Sequence, residues 1–106
     1  MNELPTPTTY LAVIHFGPFA LAMAGSDMRQ TMERLVEDTV RQLGGPDSVK
    51  QDAPLCVVLF DASHSPPPYE VEDDGVRSPK GMLPVLGAYT VKPFDTPLSF
   101  RPLAAM

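Results

Sequence analysis

The chain of 106 residues has no tryptophan, a single cysteine, and 8 lysines and arginines against 13 aspartates and glutamates. One cysteine excludes an intramolecular disulfide framework and any all-cysteine metal site. The net charge of −5 argues against sequence-independent binding to nucleic acid, which rests on clustered positive charge. Phosphate-cradling Walker loops, dinucleotide fingerprints and the Gly-x-Ser-x-Gly elbow are all missing, as is any internal repeat. The most apolar stretch, Leu11 to Ala24, is broken by His15, Gly17 and Pro18 and is shorter than the roughly 18–20 residues that span a bilayer. It ends in a run, Ala20 to Ala24, resembling a signal-peptidase site. Residues 1–10 nevertheless carry Glu3 and no lysine or arginine, so the basic segment of a secretory signal is lacking. The expectation is a soluble intracellular protein with no membrane contact.

Proline is what the chain has in excess: 13 residues, more than twice average usage. The hydrophobic share of 43% still supports one modest core, and the length fits one small domain. Residues 1–8 read as an extended lead-in, because Pro5 and Pro7 fix φ and remove two amide donors. Residues 9–106 form the domain. Thr9 to Phe16 is rich in β-branched and aromatic residues and predicts a strand. Phe19 to Ala24 is a second apolar run. The two make either a hairpin about Gly17-Pro18, an uncommon two-residue turn, or one bent strand with a bulge at Gly17.

Asp27 predicts a helix start, with Gln30 three residues on completing a capping box. Met28, Met32, Leu35, Val36, Val40 and Leu43 then trace one stripe at period 3.6. The other face holds Arg29, Glu33, Arg34, Glu37, Asp38 and Arg41, with i,i+4 pairs expected at Arg29–Glu33, Arg34–Asp38 and Glu37–Arg41. Gly44-Gly45-Pro46 ends the helix. Pro54 to Phe60 is a continuous apolar run without alternation, the pattern of a strand covered on both faces or central in the sheet. Residues 62–80 are rich in proline, serine and acids and read as a long loop. Met82 to Val91 predicts an irregular or edge strand marked by Pro84 and Gly87, followed by a Pro-rich tail at 92–106. The fold class is therefore α+β: a small, mainly antiparallel sheet in the order β-β-α-β-loop-β, with one amphipathic helix on one face. Both faces of the first strand are apolar. The second sheet face must then be covered by the tail's Phe94, Leu98 and Phe100, be solvated, or be buried in a partner.

No catalytic constellation is evident. Cys56 lies inside an apolar strand and reads as a buried, inert thiol. Nothing in the sequence sets His15 or His64, the two available bases, beside it. Asp61 to His64 reads as a side-chain-capped turn. His15, His64 and Cys56 lack the pair spacing of a metal site. Glu70, Glu72, Asp74 and Gly75 match positions 1, 3, 5 and 6 of a calcium loop, but Gly81 stands where the bidentate carboxylate belongs. A solvated acidic loop is the better reading, and no metal or cofactor is expected. Pro66 to Tyr69 satisfies the PPxY pattern of WW-domain ligands. Ser65-Pro66 and Ser78-Pro79 fit proline-directed phosphorylation.

Thr9 to Gly45, a two-stranded unit leading through a capped turn into an amphipathic helix, resembles the small accessory proteins of bacteriophages and mobile elements, anti-CRISPR inhibitors among them. The resemblance is architectural and compositional and spans about a third of the chain. It implies a stoichiometric binder acting in the host cytoplasm rather than an enzyme. The expected contact residues are Glu70, Glu72, Asp73 and Asp74, aided by Glu33, Glu37 and Asp38, with Tyr69 as an anchor. The expected partner is a larger protein or complex with a basic surface. An adaptor presenting PPxY and a homodimer built on the apolar hairpin are the alternative readings.

Overall fold

The computed structural model describes residues 9–42, 44 and 53–103. Two strands, β1 (Tyr10–Phe16) and β2 (Phe19–Gly25), form an antiparallel hairpin in which Phe16 pairs with Phe19 across Gly17-Pro18. Gly17 has φ of +60°, the left-handed conformation that a type II′ turn demands at its first central position. Proline's fixed negative φ suits the second position. Gly-Pro is thus a competent hairpin turn, and the bent-strand alternative is not adopted.

Helix α1 (Met28–Gln42) begins as its sequence predicts, with the Gln30 amide donating to Asp27 Oδ1 at 2.8 Å. Met32, Leu35 and Val36 are buried, but so are Thr31 and Thr39, which the apolar stripe omits. Their hydroxyls donate to the carbonyls of Asp27 and Leu35 one turn back, which removes the penalty of burying them. Met28 is exposed, because the first turn overhangs the sheet end. A Cβ at Gly25 would run into the Thr31 hydroxyl, so glycine there permits the close approach of helix to strand. Gly44, with φ of +92°, donates its amide to the Arg41 carbonyl and closes the helix; Leu43, Gly45 and Pro46 lie outside the described residues, as do residues 1–8. Of the expected ion pairs, Arg29–Glu33 forms at 3.1 Å. Asp38 meets Arg41 at i,i+3 instead of Arg34, which leaves Glu37 without its expected partner.

The central strand β3 (Leu55–Asp61) pairs with β1 on one side and with β7 (Val85–Val91) on the other, and β8 (Arg101–Pro102) closes the sheet in the order β2-β1-β3-β7-β8. All pairings are antiparallel. A register shift between Leu59 and Phe60, opposite Gly87 and Val85, leaves Leu86 as an extra residue on β7, and Leu83 and Pro84 lie outside any strand. The strand predicted over 82–91 is accordingly split, and β7 is interior rather than an edge.

Residues 62–80 depart most from expectation. Residues 62–69 are an irregular connection with Pro66, Pro67 and Pro68 exposed, but residues 70–80 are no solvated loop and contribute most of a second sheet: β4 (Glu70–Glu72), β5 (Gly75–Ser78) and β6 (Gly81–Met82), a meander joined in chain order. Successive side chains on a strand point to opposite faces, and the main sheet uses both. Ala12, Ile14, Leu55, Val57 and Leu59 meet α1 and its core, while Leu11, Val13 and Phe60 meet Ala62, Val76 and Leu83, with Tyr69 and Val71 packed around them. The tail covers a face too, but the helix face. Leu98 and Phe100 pack beside α1, and Arg29 ties them there by donating to the Leu98 carbonyl at 2.6 Å with its guanidinium 5.8 Å from the Phe100 ring centre.

Candidate functional site on the outer sheet face

The face of the main sheet turned away from α1 has a covered end and an open end. At the covered end the meander is seated by Val76, which is fully buried, and by Leu83. The Leu83 amide donates to the Val76 carbonyl at 2.9 Å. Val71 and Tyr69 pack at its margin, and the Tyr69 hydroxyl donates to the Ser65 carbonyl at 3.0 Å. Tyr69 is therefore a half-buried part of the seat, not a free anchor. A WW domain would have to pull it out of this packing to engage Pro66 to Tyr69.

On this seat the acids are held in strand geometry. Glu70, Asp73 and Asp74 are exposed, the two aspartates at the β4–β5 turn. Glu72 is engaged by Arg77, whose Nε and Nη2 donate to its two carboxylate oxygens at 3.0 and 3.3 Å. That bidentate contact holds the Glu72 carboxyl below the ordinary glutamate range, and it raises the Arg77 guanidinium in return. The charge of Glu72 is thus spent within the meander, and Glu70, Asp73 and Asp74 carry the outward negative field. Glu33, Glu37 and Asp38 lie on α1, on the opposite side of the main sheet. The structure does not join them to the meander acids, so the composite acidic surface expected from the sequence divides in two.

The open end was not foreseen. Antiparallel registers set Ala20 opposite His15, Cys56 opposite Thr90, and Thr90 opposite Arg101. The Ile14–Val57 pair extends by one step to place His15 across from Cys56. One row of side chains thus crosses all five strands on the outer face, and Ala20, His15, Cys56 and Arg101 are all exposed. The buried thiol expected from the apolar run is wrong: Cys56 is free and exposed, because the meander stops short of it. Beside the row, a cavity of about 300 Å³ is lined by Pro54, Thr90, Lys92, Asp95, Ser99 and Arg101. A flat, largely uncharged shelf therefore lies between an acidic wall and a small basic hollow.

At the end of β3, Asp61 accepts the Ser63 amide at 2.9 Å in the turn that the sequence predicted. Those bonds hold its carboxyl below the ordinary aspartate range, with a further contribution from the charge of His64. Asp61 and Ser63 act as a local cap that ties β3 to the start of β1, where the Thr9 amide donates to the Ser63 hydroxyl at 3.1 Å. Among the described residues, no group of three or more histidine, cysteine or acidic side chains is placed to hold a metal ion. Nor is any helix among them long and apolar enough to cross a membrane. Compared with protein-family models, with curated proteins and with solved structures, the chain matches none.

Proposed function

We propose that this protein is a non-catalytic binder that docks on a basic surface of a larger protein through the outer face of its main sheet. The observation that carries this reading is the pairing of an open shelf with a seated acidic meander on one face. A packed β-meander presents Glu70, Asp73 and Asp74 with little conformational freedom left to lose on binding, whereas a loose loop would forfeit that entropy. The acids steer a basic partner toward the face. Leu11 and Val13 are already covered and Val58 packs against the same cluster, so apolar contact falls on Ala20, Ala22 and Ala88, which are small enough for a partner to approach closely. The reading departs from the sequence expectation in two respects: Glu33, Glu37 and Asp38 are left out, and Tyr69 serves the seat. Inhibition of a host complex, the role that the resemblance of Thr9 to Gly45 implies, is one task such a binder would perform.

Affinity capture from a cell lysate tests the reading, with retention compared at ~0.1 and ~0.5 M salt, where the Debye length falls from about 10 to roughly 4 Å. A partner held at low salt and released at high salt is expected. Glu70→Lys/Asp73→Lys/Asp74→Lys should weaken its retention roughly tenfold or more. A partner retained equally by that triple variant would overturn the role of the meander.

A further inference from the structure

Among the described residues, strand β2 is an outer edge of the five-stranded sheet, and its own sequence carries none of the devices that blunt such edges. Phe19 to Gly25 contains no charge, no proline and no bulge, in a seven-residue strand of full length. Natural edges are ordinarily blunted by lysine, proline or a twist, because their unpaired amides and carbonyls are a template for another strand. The hairpin geometry shows which groups are free. Phe16–Phe19 closes the two-residue turn and is a hydrogen-bonded pair, so Ile14–Leu21 and Ala12–Met23 are hydrogen-bonded too. Ala20, Ala22 and Ala24 therefore aim their amides and carbonyls away from β1.

We propose that β2 pairs antiparallel with β2 of a second copy about a two-fold axis at Ala22, joining two five-stranded sheets into one. The strand itself argues for a like partner. With Ala22 opposite its own copy, Ala20 meets Ala24, and all three alanines fall in hydrogen-bonded positions on both sides. Leu21 meets Met23 on the helix face. Phe19, which is 60% exposed, comes opposite Gly25, which has no side chain to clash with it. The two-fold axis stands perpendicular to the sheet, so both helices share one face. Since α1 lies over β1 and β2, the helix axes come about two strand spacings apart, roughly 10 Å, which is helix-packing distance. Uncharged edges also let two chains of net charge −5 approach without a like-charge contact along the strand. The pairing uses the backbone edge of β2 and leaves the outer face with its meander uncovered; because Ala20 and Ala22 also lie on that face, the pairing is read from oligomeric state and cross-linking and not from partner capture.

Light scattering across a concentration series, together with two edge variants, tests the pairing. The native chain is expected to run at twice the monomer mass. Ala22→Lys places two like charges directly opposite at the axis while leaving a residue typical of free edges, and should give a monomer with unchanged circular dichroism. Ala22→Cys in a Cys56→Ser background should form an intermolecular disulfide on mild oxidation, because hydrogen-bonded partners stand with Cα atoms about 5.5 Å apart, within the range of the bond. A native chain that is monomeric at ~0.5 mM overturns the proposal and leaves the edge to a strand of another protein. A dimer that survives Ala22→Lys, with no cross-link at Ala22→Cys, overturns it as well by placing the contact elsewhere.

Discussion

Shortening Val76 to alanine tests whether residues 62–80 are a structural layer. Val76 is fully buried between the meander and the main sheet, against Leu11, Val13 and Phe60. Val76→Ala removes two methyl groups, worth about 0.8 kcal/mol each in transfer. The space left behind adds a cavity cost, because the neighbours relax only partly, for a total of about 2–3 kcal/mol. If the meander melts with the rest of the domain, each kcal/mol lowers Tm by about 4–8 °C at this size, so the loss is on the order of 10–20 °C. Val85→Ala is the control: Val85 is 61% exposed on β7 of the main sheet, and its truncation should cost less than about 0.5 kcal/mol. Calorimetry gives both values under one set of conditions, and hydrogen exchange should show β4 and β5 amides losing protection first in Val76→Ala. If Val76→Ala melts together with Val85→Ala and the native β4–β5 amides exchange at free-peptide rates, the segment is a loop and the account of the outer face fails.

Three further outcomes follow from the same contacts. Asp27→Ala removes the acceptor of the Gln30 amide and should cost about 1 kcal/mol in chemical denaturation, as helix N-caps do; Asp27→Asn should restore most of it. The Glu72 carboxyl, with its pKa depressed by Arg77, stabilises the fold above its unfolded pKa, and that contribution is lost as pH falls through the lower folded value. An NMR titration should therefore place Glu72 below an ordinary glutamate, and Arg77→Met should return it to the ordinary value; an unchanged titration in that variant would remove the ion pair as the cause. Cys56, free and exposed, should take up one equivalent of a maleimide in native buffer, whereas a thiol that reacts only in denaturant would show that something covers the open row.

The elements announced by local signals were legible in the sequence. Asp27, Gln30 and a 3.6-residue stripe specify α1 almost without reference to the rest of the fold, and so does the apolar pair of runs about Gly17-Pro18 for the hairpin. Thr31 and Thr39 escaped because a hydropathy stripe counts a hydroxyl as polar, while a helix can satisfy it internally. The meander escaped for a different reason. Its seat needs few apolar residues (Tyr69, Val71, Val76 and Leu83), and these are diluted among prolines and acids that point outward. The alternation of Tyr69 with Val71 and the Asp73-Asp74 pair, which makes the turn between Glu72 and Gly75, were the available signals, since aspartate favours turns.

The error at Cys56 follows from the meander. A continuous apolar run states that both faces of β3 are suitable for burial, but the extent of the covering layer depends on segments far along the chain. The same long-range dependence divided the acidic residues, because no local pattern records that α1 and the meander occupy opposite sides of the sheet. His15 and Cys56, 41 positions apart, become neighbours only through the β1–β3 register.

The claim that contact with a partner falls on the outer face is tested most directly by hydrogen-exchange footprinting of the captured complex, with Cys56 labelling read in parallel. The account predicts slower exchange through Glu70–Ser78 and slower labelling of Cys56 when the partner is bound, with the exposed side of α1 unchanged. Protection confined to α1 around Glu33, Glu37 and Asp38, with the meander and Cys56 reacting as in the free chain, would contradict it.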